Sequence, residues 1–178
     1  MESELEKLYK KYPKLLNQNR ENGREPFDLY GLEVGEGWAD ILDIVFYSIN
    51  HYNENPPDAP SPFNGIKIRI HNFIFPVMRK MPDRVKSLIG KILQTKYHKS
   101  ENHVKITIGQ VKEKFGGLRI YVNNPTQYIR GVISYAESLS TRTCEICGSN
   151  ANVTQNTKGW IKSWCNKCRE EDKKSYEL

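Results

Sequence analysis

The sequence lacks any long hydrophobic run, any basic leader segment and any cysteine outside positions 144, 147, 165 and 168. Its longest apolar run, residues 44–47, is far shorter than the roughly 18 residues that a membrane-spanning helix needs. The acidic start Met1-Glu2-Ser3-Glu4 has none of the positive charge that flanks a signal peptide. We therefore expect a cytoplasmic protein without a membrane partner, whose cysteines stay reduced.

The sequence also lacks the common catalytic motifs. The histidines at positions 51, 71, 98 and 103 form no His-Glu-x-x-His pattern, and Gly35-x-Gly37 lacks the further glycine and lysine of a phosphate-binding loop. One enzymatic alternative remains, because Glu36, Asp40 and Asp43 lie close along the start of a predicted helix and suit metal-dependent hydrolysis. Acids at a helix start also stabilise the helix dipole, so these three residues do not by themselves indicate a catalyst.

The four cysteines form the most informative pattern. They occur as Cys144-x2-Cys147 and Cys165-x2-Cys168, with seventeen residues between the pairs. Two such pairs complete a tetrahedral site of four sulfurs, which suits zinc or, less often, iron. Four thiolates leave no open position for water or substrate, so the spacing predicts a structural zinc ion rather than a catalytic one.

The segment around the cysteines predicts a small zinc finger. Cys144 to Gly148 has the form of a zinc knuckle, residues 150–164 suit a hairpin, and the charged residues after Cys168 suit a helix. This order resembles a treble-clef or ribbon finger. Residues 141–178 hold too few apolar residues for their own core, so metal binding, worth about 10 kcal/mol or more, must hold them together. We therefore predict two domains, residues 1–140 and residues 141–178.

Charge is distributed unevenly along the chain. Residues 1–64 contain six Lys and Arg against twelve Asp and Glu, a net charge of −6, whereas residues 65–119 contain thirteen against three, a net charge of +10. A Pro-rich loop over residues 53–65 separates the two blocks. The basic block predicts a surface for an anionic partner.

Hydrophobic periodicity predicts a mixed α+β main domain with a small sheet that contains a hairpin. Residues 66–70 alternate as a half-buried strand does, and Gly109 suggests a bulge in the first strand of the hairpin. The remaining predicted elements are a helix over residues 3–17, a helix over 38–49, a helix beginning at Pro82, strands over 104–108 and 118–122 around a turn at Gly116-Gly117, and a helix over 129–139.

The predicted hairpin offers the best candidate binding surface. If Leu118, Ile120 and Val122 face the core, the residues between them face outward with neighbouring lysines. The predicted binding residues are Lys112, Lys114, Phe115, Arg119 and Tyr121 on the hairpin, with Arg84 and Lys91 on the basic helix. Lysine and arginine bind phosphate or carboxylate, and the aromatic side chains would stack on a base. A solvated sheet face, whose charges prevent edge aggregation, is the competing interpretation.

Three motifs together resemble an uncharacterised family of small bacterial and bacteriophage proteins. They are Gly35-Glu36-Gly37-Trp38 at a helix start, the stretch from Gln110 to Arg119, and the four-cysteine finger with Gly159-Trp160 before its second pair. Two differences from the family pattern are Glu36 in place of Asp and a basic insertion around residues 65–100. The resemblance implies no specific activity, although the phage setting of such proteins implies a role in host takeover or evasion of host defence.

The sequence thus favours a non-enzymatic, zinc-stabilised protein that binds nucleic acid, a nucleotide or an acidic protein surface. The first alternative is a phage-encoded inhibitor or adaptor that binds a host protein through exposed Trp and Tyr side chains. The second alternative is the hydrolase that would use Glu36, Asp40 and Asp43.

Overall fold

A computed structural model describes residues 2–17, 25–56, 59–60, 63–95, 97–98, 103–156 and 159–175. The helices are α1 Glu4–Lys11, α2 Pro13–Leu16, α3 Pro26–Tyr30, α4 Ala39–Glu54, α5 Asn64–Met78, α6 Asp83–Leu93, α7 Gln127–Ser140 and α8 Asn166–Ser175, with a 3-10 turn at Glu36–Trp38. The strands are β1 Leu32–Glu33, β2 Ala59–Pro60, β3 Tyr97–His98, β4 Thr107–Lys114, β5 Gly117–Asn123, β6 Val153–Gln155 and β7 Ser163–Cys165. Helices and small sheets occur together, which confirms the predicted α+β class.

The chain divides into two compact units. The first unit comprises residues 1–54 and 104–178, and the second comprises residues 55–103. The predicted division between residues 140 and 141 falls inside the first unit. The division into compact units does not show whether residues 141–178 need a metal ion to fold. The predicted domain boundary between residues 140 and 141 therefore stays a prediction.

A three-stranded sheet in the order β1-β4-β5 lies at the centre of the first unit. β1 pairs with β4 in parallel, and β4 pairs with β5 as an antiparallel hairpin. The register shifts between Ile108 and Gln110, so the predicted bulge at Gly109 is confirmed. The predicted turn at Gly116-Gly117 is off by one residue, because Phe115 and Gly116 adopt positive φ values of 54° and 71° while Gly117 opens β5. Two left-handed central residues match the right-handed twist of a tight hairpin.

The hydrophobic core packs α4 and α7 against this sheet. α4 buries an apolar face that includes Leu42, Val45 and Phe46, and the 3-10 turn before it buries Trp38. The predicted helix over residues 3–17 is instead two helices, α1 and α2, which break at Tyr12. The break follows from Pro13, which has no backbone N–H and disfavours helical geometry in the residue before it.

α7 also covers the free edge of β5. The Leu118 backbone N–H donates to Ser140 Oγ at 2.9 Å, and the Ile120 N–H donates to a carboxylate oxygen of Glu137 at 3.0 Å. These side chains satisfy donors that a further strand would otherwise pair with. Ser140 and Glu137 therefore occupy this part of the β5 edge.

The second unit is a helical hairpin formed by α5 and α6. The Lys67 Nζ atom near the start of α5 donates to the Gln94 carbonyl just after α6, at 3.0 Å, so the helices run antiparallel. β2 and β3 pair at the ends of the same hairpin. The helix start after Pro82 is confirmed.

The strand predicted over residues 66–70 is wrong, because these residues lie within α5. Five alternating residues fit a strand, but Ile66, Ile70, Phe73 and Val77 continue the apolar pattern at intervals of four, three and four residues. That longer spacing is helical. No helix in the described ranges is both long and apolar enough to cross a membrane.

Candidate metal centre

The four cysteine sulfurs come together at one point. All four Sγ atoms lie within 4.8 Å of one another, and those of Cys147 and Cys165 are 3.7 Å apart. A tetrahedral thiolate site with metal–sulfur bonds of about 2.3 Å places its sulfurs about 3.8 Å apart. A disulfide would need about 2.05 Å, and all four cysteines are free. The four residues are therefore positioned to hold a metal ion.

Two different local structures present the two pairs of thiols. Cys144 and Cys147 lie on a tight turn that Gly148 closes, with φ of 73° and an N–H that donates to the Cys144 carbonyl at 2.9 Å. Cys165 ends β7, and Cys168 lies in the first turn of α8. The Cys168 N–H points at the Cys165 sulfur, 3.5 Å away. Each short spacing thus becomes a turn that directs two sulfurs to the same side.

The surroundings favour a thiolate at one of the four sulfurs. Burial raises the pKa of Cys144, but backbone N–H donors of Cys165, Cys147 and Ile146 outweigh burial and bring that pKa down to about 7. Burial, followed by the neighbouring cysteines, raises the pKa of Cys168 above the ordinary thiol value. Clustered thiols cannot all lose their protons without a compensating positive charge, which a bound cation supplies.

The site is closed on the protein side. Cys144, Cys165 and Cys168 are buried, and only Cys147 is exposed. Four protein ligands complete a tetrahedral sphere and leave no position for water or substrate. The arrangement can therefore stabilise the fold, but it offers no open position for metal-assisted hydrolysis.

The knuckle is in direct contact with the start of α4. The Gly37 N–H donates to the Glu145 carbonyl at 2.8 Å, and the Trp38 indole N–H donates to the Thr143 carbonyl at 2.9 Å. A Cβ on Gly37 would lie 2.2 Å from the Cys144 carbonyl oxygen. The Gly35-Glu36-Gly37-Trp38 motif therefore functions as a packing surface for the knuckle rather than as a nucleotide cradle.

Glu145 reinforces this contact through its side chain. Its carboxylate accepts from the Gly35 N–H at 3.2 Å, and burial raises the pKa of that carboxyl group. Nothing in the sequence indicated this role, because the two residues are 110 positions apart. Gly35 matters for the same contact, since a Cβ there would lie 2.3 Å from the Glu145 carbonyl oxygen.

The cysteine-bearing segment also holds the tip of the β4–β5 hairpin. The Gly116 carbonyl accepts from Gln155 Nε2 at 3.0 Å and from the Ser163 hydroxyl group. Gln155 lies on β6 and Ser163 on β7, directly before Cys165. The three motifs that the sequence singled out therefore meet at the cysteine site, and Gln155 and Ser163 are contact residues that the motifs did not reveal.

Four of the five predicted binding residues of the hairpin share its outward face, whereas Phe115 lies in the turn between the strands. Lys112 pairs with Arg119 across the strands, Gln110 pairs with Tyr121, and Lys114 pairs with Gly117. The Lys112 Nζ atom lies 5.7 Å from the Tyr121 ring centre, which is close enough for a cation–π contact. Arg119 is partly engaged, because it donates to the Leu118 carbonyl at 2.6 Å and lies 3.9 Å from the Glu137 carboxylate.

The other predicted binding residues, Arg84 and Lys91, lie on α6 of the second unit, and both are exposed. They are seven residues apart, so they project from the same side of that helix. They form a second basic surface, on a different unit from the hairpin face.

The three carboxylates of the hydrolase alternative are not brought together as a metal site. The Asp43 carboxylate accepts hydrogen bonds from Lys11 Nζ and from the Tyr12 hydroxyl group, at 2.7 Å each. Glu36 and Asp40 instead line a cavity of about 240 Å³ beside Cys147. Within the residues that the structure describes, the four cysteines form the one group of three or more His, Cys, Asp or Glu side chains positioned to share an ion. The hydrolase alternative therefore has no geometric support.

Comparison with protein-family models, with curated proteins and with solved structures finds no match. The resemblance to the bacterial and bacteriophage family accordingly stays a prediction based on the three motifs.

Proposed function

We propose that the protein is a non-enzymatic, zinc-stabilised binding protein that recognises an anionic partner through the outward face of the β4–β5 hairpin. The cysteine segment would be a zinc finger of the treble-clef type, since a knuckle, a hairpin and a helix start supply its ligands in that order. Zinc is the ion that an all-sulfur tetrahedral site most commonly binds, and its role here would be structural. By holding the Gly116 carbonyl, the finger would fix the tip of the binding hairpin.

The cross-strand pairing of Lys112 with Arg119, next to Tyr121 and Lys114, is the observation that carries this proposal. It places three cations and an aromatic ring on one outward face. Because Arg119 is engaged with Leu118 and Glu137, Lys112 and Lys114 would make the first contacts with phosphate or carboxylate groups. Tyr121 would stack on a base or pack against a nonpolar group of the partner.

Phe115 at the tip of the hairpin supports the same conclusion. Its φ of 54° is left-handed, a conformation that costs a bulky L-residue about 1–2 kcal/mol and that glycine or asparagine adopts more easily. The side chain is 69% exposed, so it gains little packing within the fold in return. A strained and exposed aromatic residue is better explained by contact with a partner than by folding.

The test measures binding of fluorescein-labelled single-stranded DNA and RNA across a range of salt concentrations. Lys112→Ala with Lys114→Ala should weaken binding and reduce the slope of log affinity against log salt by about 1.5, since each phosphate contact contributes roughly 0.7–0.9. Lys10→Ala with Lys14→Ala is the matched control, because both lysines are exposed but lie on α1 and α2. Equal slopes for the two double variants would contradict the proposal for nucleic acid, and the same comparison with polyglutamate tests an acidic protein surface.

A second variant separates binding from folding. Phe115→Asn should raise the free energy of unfolding by about 1 kcal/mol, because asparagine tolerates the left-handed conformation. The same variant should weaken partner binding. If Phe115 were needed only for folding, its replacement would lower stability and leave binding by the folded protein unchanged.

A protein–protein inhibitor or adaptor is the second candidate, and the phage-like motifs would place it in the cytoplasm of a bacterial host. The exposure of Trp160, at 74%, favours this candidate, since tryptophan is a frequent anchor of protein interfaces. Co-purification of a host protein in equal amount, without retained nucleic acid, would favour the adaptor over the nucleic-acid form of the first proposal. Trp160→Ala should then release that host protein.

A further inference from the structure

The second unit carries an apolar surface that is open to solvent. We call it the α5–α6 apolar face and define it by Ile66, Ile70 and Phe73 on α5 and Val85, Leu88 and Ile92 on α6. These six side chains are between 40% and 85% exposed. On each helix they recur at intervals of three or four residues, so they form one stripe along that helix.

The two stripes lie on the same side of the helical hairpin. Partly or fully buried residues mark the seam between the helices, and among them are Ile74 and Met78 on α5 and Ile89 and Leu93 on α6. Each residue of a stripe precedes a seam residue by one position in the sequence, so the stripe is rotated by about 100° around the helix axis from the seam. Because the two helices run antiparallel, this rotation brings both stripes to the same side of the helical hairpin. The two stripes therefore form parallel apolar ridges with the seam between them.

Cations border these ridges along their outer edges. By the same helical geometry, Arg69 flanks the stripe on α5, and Arg84 and Lys91 flank the stripe on α6. The one carboxylate within residues 63–95 is that of Asp83, which pairs with Lys86 at 3.0 Å. The apolar face is thus framed by positive charge on both sides.

The described part of the second unit has almost no buried core. α6 buries none of its residues, and α5 buries only Asn64 and Met78. Stable helical units bury apolar stripes against a further element. A third helix fits between two helices whose axes are about 8–10 Å apart, and it would cover both ridges at once.

We propose that the α5–α6 apolar face docks an acidic amphipathic helix of a partner protein, which completes a three-helix bundle. Leucine-like side chains of that helix would fill the space between the ridges, and its flanking carboxylates would meet Arg69, Arg84 and Lys91. Each stripe runs over eight residues, a rise of about 10 Å, so the docked segment is two to three turns long. This inference goes beyond the proposed function, because Arg84 and Lys91 lie on α6 of the second unit and not on the β4–β5 hairpin.

Other occupants fit the face less well. A second copy of the chain would bring its own three flanking cations against these three, which opposes association. Nucleic acid would leave six apolar side chains without an apolar partner. A bilayer surface favours Trp and Tyr at its boundary, and residues 63–95 contain neither.

The test uses a fluorescein-labelled synthetic peptide of about 18 residues, with leucine along one helical face and glutamate elsewhere, titrated with the full-length protein. A scrambled peptide of identical composition controls for charge alone. Leu88→Ser with Ile92→Ser should weaken binding of the amphipathic peptide at least tenfold, and Arg84→Glu with Lys91→Glu should do the same. Ile68→Ser with Phe75→Ser is the matched control, because these residues are equally apolar and half exposed but lie on the opposite side of α5.

Several outcomes would overturn the inference. Equal binding of the scrambled peptide, no binding of either peptide, or an equal loss in the Ile68/Phe75 control would each remove the docking site. Sedimentation of the protein with anionic phosphatidylglycerol vesicles, lost in the Leu88/Ile92 variant, would assign the face to a bilayer instead. A dimer that dissociates in that variant would assign it to a second copy.

The outcome for this face can be separated from the outcome for the hairpin. Lys112→Ala with Lys114→Ala should leave binding of the amphipathic peptide unchanged, because those lysines lie on β4. Peptide binding that depends on Leu88 but not on Lys112 supports the docking site even if the hairpin binds nothing. Peptide binding that depends on Lys112 and not on Leu88 supports the hairpin and overturns the docking site.

Discussion

Gly37→Ala should undo the contact between the knuckle and the start of α4. The added Cβ would lie 2.2 Å from the Cys144 carbonyl oxygen and 2.4 Å from the Gly148 nitrogen. Both atoms belong to the backbone of the knuckle, so they cannot rotate away as a flexible side chain would. The knuckle must move as a whole, and the bond from the Gly37 N–H to the Glu145 carbonyl is lost with that movement.

The magnitude follows from two contributions. Forcing a methyl group into a tightly packed contact costs about 1–3 kcal/mol, and losing a buried hydrogen bond costs about 0.5–1.5 kcal/mol. We therefore expect Gly37→Ala to lower the free energy of unfolding by about 2–4 kcal/mol. Metal binding should persist in this variant, because all four cysteines are kept and Cys144 and Cys147 move together with the knuckle.

Urea unfolding of the metal-loaded protein, followed by tryptophan fluorescence, measures this effect. The buried Trp38 donates to the Thr143 carbonyl and so reports directly on the contact. Gly131→Ala is the control, because Gly131 lies within α7 with nothing within 4 Å of an added Cβ, and it should raise stability by about 0.5–1 kcal/mol. A loss below about 0.5 kcal/mol for Gly37→Ala would refute the close packing of the knuckle on α4.

Three further predictions concern stability, pH and activity. Ser163→Ala removes one of the two donors to the Gly116 carbonyl and should lower the free energy of unfolding in urea by about 1 kcal/mol. An unchanged free energy of unfolding would show that the finger does not stabilise the hairpin tip. Partial burial opposes ionisation of Asp43, but Lys11 and Tyr12 hold its pKa below the ordinary 3.8. Asp43 therefore stabilises the folded protein at pH values above 3.8, and this stabilisation is lost as the pH falls through its folded-state pKa. Asp43→Asn should remove this part of the pH dependence of the free energy of unfolding. An unchanged pH dependence in that variant would contradict the pairing of Asp43 with Lys11 and Tyr12. Mg²⁺ or Mn²⁺ should elicit no cleavage of nucleotides or nucleic acid, and cleavage that Asp40→Ala abolishes would restore the hydrolase alternative.

The features that the sequence predicted well are local ones. The Cys-x2-Cys spacing restricts each pair to a single turn, so the sulfur cluster followed from adjacent residues. The hairpin and its bulge followed from alternation on both sides of Gly109. The exact position of the turn did not follow from the sequence, because Gly116 and Gly117 both tolerate a positive φ and the pattern gave no reason for Phe115 to adopt one.

The features that the sequence missed depend on distant contacts. A backbone carbonyl has no sequence signature, so the bond from Gly37 to Glu145 was not predictable from either motif. The same holds for Ser163, whose hydroxyl group serves the Gly116 carbonyl 47 positions away. Residues 66–70 of α5 were predicted as a strand because five residues are too few to distinguish the two-residue repeat of a strand from the 3.6-residue repeat of a helix.

Elemental analysis of freshly purified, reduced protein shows whether the four-cysteine site holds a metal ion. If the four cysteines hold a structural ion that fixes the knuckle and the hairpin tip, the protein should contain one zinc ion per chain, and removing it with a chelator should expose four reactive thiols. Reduced protein that contains no metal, or that keeps its stability when the metal is removed, would contradict the account.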